Sequence, residues 1–114
     1  HSFLAEHDVA AFAVAAVTNP AARGRYLGLG GPEAVSWRGV VACYEKVLGR
    51  TLPVRYVAPG EMVDGMPERL LALLAAQDAS DTEIDARATA TEFGVTQTPL
   101  EAWVRASLAS ARRV

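Results

Sequence analysis

Chemistry in this chain has few places to reside. His7 and Asp8 stand side by side and offer two metal ligands, but no third or fourth ligand lies nearby in sequence, and a zinc site needs three or four. His7 therefore reads as a turn residue and Asp8 as a helix cap. Cys43 is the single thiol, which excludes an intramolecular disulfide and any multi-cysteine metal site. It falls within a helical pattern, where a cysteine is usually a small, inert packing residue. Tyr44-Glu45-Lys46 invites comparison with a Tyr-x-x-x-Lys dehydrogenase pair. Here Tyr and Lys are two apart, not four, and point to different sides of a helix.

Phosphate binding requires a glycine turn that opens directly into a helix. Gly28-Leu29-Gly30-Gly31 is followed by Pro32, and Glu33 stands where the third glycine of G-x-G-x-x-G belongs. It reads as a tight backbone turn. Asp78, Asp81, Glu83 and Asp85 cluster, yet without the glycine of a calcium-binding loop, so they read as a solvated loop. No nucleophile–base pairing is visible. Catalytic, metal and cofactor residues are accordingly assigned to none of these positions. Met62 and Met66, flexible thioethers between glycines, are the candidate substrate-pocket residues, with ordinary core filling as the competing reading. Trp37 and Trp103 read as core anchors.

The elements that must position these groups follow from periodicity. Asp8 is the expected N-cap of a helix carrying Val9, Phe12, Ala13, Ala16 and Val17 on one apolar stripe, stopped by Asn19-Pro20. Ser36 caps a helix with Trp37, Val40, Val41, Tyr44, Val47 and Leu48 in register, ended by Gly49. A leucine-rich helix is expected from about Pro67 to Gln77, and a short one through Thr89 to Phe93, closed by Gly94. Thr98-Pro99-Leu100-Glu101 reads as a capping box opening a last helix with Leu100, Val104, Leu108 and Ala111 on one face. Arg112 and Arg113 suit that helix's negative pole. Arg25 to Leu29 and Leu52 to Val57 read as short strands, and Phe3-Leu4 as the end of an extended segment.

With 114 residues, 51% hydrophobic and 21% charged, one globular domain over 1–114 is expected, of α/β class, or α+β when taken alone: a helix-rich lobe with two or three short strands. A formal net charge of −2 argues against a nucleic-acid partner, which needs a basic face. The run from Val9 to Ala22 is too short and interrupted to span a bilayer, so no membrane association is expected. With no signal-peptide pattern, a cytoplasmic protein is the expectation. The first methionine is Met62, so the chain reads as a processed product or part of something longer.

Three stretches in order resemble the C-terminal portion of NmrA-like proteins, which are atypical short-chain dehydrogenases. The first is His7-Asp8-Val9-Ala10 with its alanine-rich helix and Asn19-Pro20-Ala21-Ala22-Arg23-Gly24. The second is Leu27-Gly28-Leu29-Gly30-Gly31-Pro32-Glu33-Ala34-Val35-Ser36, followed by Val47-Leu48-Gly49-Arg50 and Leu52-Pro53-Val54-Arg55-Tyr56-Val57. The third is Phe93-Gly94-Val95-Thr96 with Thr98-Pro99-Leu100-Glu101-Ala102-Trp103-Val104. Together they cover nearly the whole chain.

The resemblance implies the substrate-side lobe of an NAD(P)-binding Rossmann-type protein, either an oxidoreductase, an epimerase-like protein or a redox sensor. It implies NAD(P) as cofactor of the whole protein, with no cofactor residue in this stretch. The partners it implies are a small-molecule substrate and the missing Rossmann half or a second copy, because the apolar helix faces would otherwise meet water. The alternative is a stand-alone small-ligand or protein-binding module, expected to be dimeric through the same apolar surface; a self-sufficient enzyme ranks last.

Overall fold

A computed structural model describes residues 1–81 and 83–112. Its helices are α1 (Glu6–Thr18), α2 (Trp37–Leu48), α3 (Glu68–Asp78), α4 (Arg87–Phe93) and α5 (Leu100–Ala111), with a short 3₁₀ turn at Pro20–Ala22. Among the described residues there is no strand and no sheet. The expected α/β or α+β class is therefore corrected to all-helical. Leu52–Val57, with Val54, Tyr56 and Val57, and Arg25–Leu29, with Tyr26, carry strand-forming residues but form no ladder. Strand propensity expresses itself only where a neighbouring strand accepts the backbone bonds, and none is present.

The chain divides into two compact units. Residues 1–50 with the described residues from 83 onward form the first, and residues 51–81 belong to the second. In the first, α2 packs on α5 and α1 on α4. Its small core is Phe12, Ala86, Ala90, Phe93 and Val104. The second contains α3 and the turns before it. No helix among the described residues is long and apolar enough to cross a membrane.

Local signals explain the helix ends. Ser36 Oγ accepts from Gly39 N at 3.0 Å and caps α2, and Gly49 closes that helix in the left-handed region at φ 70°. Gly94 does the same for α4 at φ 68°. Two expectations fail. Ala5, not Asp8, is the N-cap of α1. Asp8 lies within the first turn, buried, and serves a distant partner instead. Similarly, the N-cap of α5 is Pro99, which offers no side-chain cap of its own, so the Thr98–Glu101 capping box does not form. Arg113 and Thr82, parts of the expected basic helix end and acidic loop, lie outside the described residues.

Candidate functional site

An aromatic-lined concavity lies in the first unit, between the N-terminal arm, the Pro32–Val35 turn, α2 and the start of α5. Its volume is about 270 Å³, just below the usual range of ligand pockets, about 300–1,000 Å³. Its walls come mainly from Phe3, Trp37, Val40, Tyr44, Leu100 and Trp103. Trp37, Val40 and Tyr44 share one side of α2 by their spacing of three and four. The Phe3 ring meets Trp37 edge-on, with centroids 5.0 Å apart. Trp37 is 44% exposed and Trp103 36%, so both are cleft residues and the expectation of core anchors is corrected.

Long-range hydrogen bonds hold these walls together. Val35 N donates to His1 O at 2.8 Å, and Ile84 N donates to Ser2 Oγ at 2.9 Å, tying down the arm. Gly30 and Gly31 let backbones meet: a Cβ on Gly31 would collide with Phe3 O, and one on Gly30 with Ile84 O. These glycines are thus required by close approach, and their φ values are not positive. Gln97 Nε2 donates to Gly30 O at 2.8 Å. Leu100 N, an orphan donor at the start of α5, donates to Glu33 Oε1 at 2.8 Å. The residue that broke the phosphate motif in the sequence is therefore a helix cap acting from 67 residues away.

Asp8 is the hub of this framework. It is 2% exposed. Its carboxylate accepts Thr98 N at 2.6 Å and Thr98 Oγ1–H at 2.9 Å. His7 Nε2 lies 2.7 Å from Thr98 Oγ1 and 3.2 Å from Asp8 Oδ1. A hydroxyl beside an imidazole and a carboxylate suggests nucleophilic catalysis, but the order is wrong for it. In a catalytic triad the histidine stands between hydroxyl and acid. Here the hydroxyl gives its proton to the buried acid, and its oxygen is left to accept from His7. The arrangement is a clamp that fixes Thr98 at the cleft edge, 90 residues from Asp8 in sequence.

The remaining candidates lie elsewhere. Met62 and Met66 belong to the second unit. Met62 is 66% exposed, and Met66 N closes a turn onto Val63 O at 3.1 Å. Cys43 is half-buried on α2. Lys46 is held by Glu101 Oε2 at 2.8 Å, and Arg105 binds the other oxygen at 2.7 Å. These partners hold the Glu101 carboxyl below its ordinary range, chiefly through the Lys46 hydrogen bond. In the acidic loop, Asp85 pairs with Arg87 at 2.6 Å and also accepts Arg87 N. The Arg87 side-chain bonds are the main reason its carboxyl falls to about 2. Among the described residues no group of three or more His, Cys, Asp or Glu could hold a metal ion.

Phe3, Glu33, Tyr44 and Thr98 were not singled out by sequence as site residues. The spacing of Trp37, Val40 and Tyr44 and of Leu100 and Trp103 carried the signal for an apolar surface, but not for its being left open. No family model matches this chain, and neither a curated protein nor a solved structure matches it.

Proposed function

We propose that this chain is a small-molecule-binding lobe, the substrate side of an NAD(P)-binding protein of the NmrA-like kind. In that reading the aromatic cleft receives the substrate. A separate nucleotide-binding lobe holds the cofactor, which supplies hydride chemistry or a redox-sensing signal, and this lobe is catalytically incomplete alone. The motif order from His7 to Val104 supports the kinship. The observation that carries the reading is the amount of apolar surface left in water.

Apolar side chains of α1 stand in water: Val9 is 44% exposed, Val14 64% and Val17 88%. Val9, Ala13, Ala16, Val17, Leu27 and Leu29 line a continuous groove there. Surfaces of this kind on soluble proteins are normally covered.

Sedimentation equilibrium of the purified chain tests this. Self-association at tens of micromolar is expected, because an uncovered face of this kind finds itself when its partner is absent. A strictly monomeric chain at high concentration would refute the reading. One observation favours a second reading, a stand-alone ligand-binding module: residues of the first unit alone build the cleft.

A further inference from the structure

We propose that the cleft binds an organic monocation, an amine or quaternary ammonium carried on a small apolar body. This rests on the reading of the cleft as a ligand site and adds the chemical class of its occupant. Four aromatic side chains, Phe3, Trp37, Tyr44 and Trp103, come from three parts of the fold to line it. Two carboxylates, Glu6 and Glu33, line it as well, and among the described residues no lysine or arginine does.

Aromatic faces attract cations through the ring quadrupole, and Trp does so most strongly. Carboxylates beside such faces add direct charge complementarity and disfavour anions. Of the cations nearby, the His1 α-ammonium donates to Val35 O at 3.1 Å, and the basic side chains of Lys46, Arg105 and Arg87 are bound to other carboxylates. Lys46 and Arg105 are both bound to Glu101, and Arg87 is bound to Asp85. Glu33 uses one oxygen for Leu100 N, which fixes the carboxylate at the cleft wall. The other oxygen accepts no hydrogen bond among the described residues. The His1 imidazole already stands against this surface, 5.9 Å from the Trp37 ring and 6.0 Å from Phe3.

A matched pair of probes tests the assignment. Benzyltrimethylammonium and its neutral carbon isostere, neopentylbenzene, are titrated into the full chain, with binding read from tryptophan fluorescence and from shifts of the indole N–H resonances. Benzenesulfonate serves as the anionic arm. The expected result is binding of the ammonium about tenfold tighter than the isostere, weakening with added salt, and none of the sulfonate. Glu33→Gln keeps an oxygen for Leu100 N while removing the charge, and together with Glu6→Gln it is expected to erase most of the preference. Equal binding of ammonium and isostere would overturn the cation assignment and leave the cleft a ligand site. Failure of the ammonium to bind the wild-type chain at millimolar concentration would overturn it as well. The surface-association experiment above is independent of both results.

Discussion

The Asp8–Thr98 clamp gives a sharp energetic expectation. Asp8→Ala removes the acceptor for two short hydrogen bonds, at 2.6 and 2.9 Å, inside a site only 2% exposed. A hydrogen bond to a charged group contributes about 1.5–3 kcal/mol, and a buried donor left without an acceptor carries its own desolvation cost. Loss of both bonds, with the Thr98 amide orphaned, is expected to destabilise the first unit by about 3 kcal/mol. At an m-value of about 1.5 kcal/mol/M, the urea midpoint falls by about 2 M. Trp37 and Trp103 both lie in that unit, so intrinsic fluorescence reports its unfolding directly. Thr98→Val removes only the hydroxyl and is expected to cost about 1 kcal/mol. The double variant should lose less than the sum, since the two changes share one interaction. A midpoint for Asp8→Ala within about 0.3 M of wild type would refute the clamp, because no other described contact replaces these bonds.

Gly31→Ala forces a Cβ onto Phe3 O, so thermal denaturation should show a loss of about 2 kcal/mol or more; Gly94→Ala, in open space at φ 68°, should lose only about 1 kcal/mol. The Asp85 carboxyl resonance should titrate near 2, and Arg87→Gln should return it towards the usual range. Asp85, Glu92 and Glu101 are all lowered by basic partners. Their contribution to stability is therefore present above the ordinary carboxylate range and lost as pH falls through the depressed values, so acid scans should show a decline that added salt reduces. Val17→Glu alters a residue 88% exposed; it should leave the unfolding midpoint nearly unchanged and reduce self-association in the sedimentation experiment.

The helices were legible because their signals are local. Ser36 and Gly49 bracket α2, Asn19-Pro20 stops α1, and Gly94 stops α4. What failed depended on distant parts of the chain. Arg25 to Leu29 look like a strand, but a strand needs a partner that local sequence does not specify. Asp8 and Glu33 have the types expected of a cap and a motif breaker. Their actual partners, Thr98 and Leu100, lie 90 and 67 residues away. Trp37 and Trp103 were legible as apolar anchors. Periodicity marks a face as apolar but does not say whether protein or ligand covers it, so the cleft emerged only from the packing of α2 and α5. Met62 and Met66 were read from residue type alone, and the structure places them in the turns before α3, in the second unit.

The central claim is that this lobe presents a ligand cleft and lacks the means to grip a dinucleotide. Calorimetric titration of NADPH into the purified chain tests it most directly. The account predicts no saturable binding to this chain. Saturable, submicromolar binding of NADPH by these 114 residues alone would contradict it.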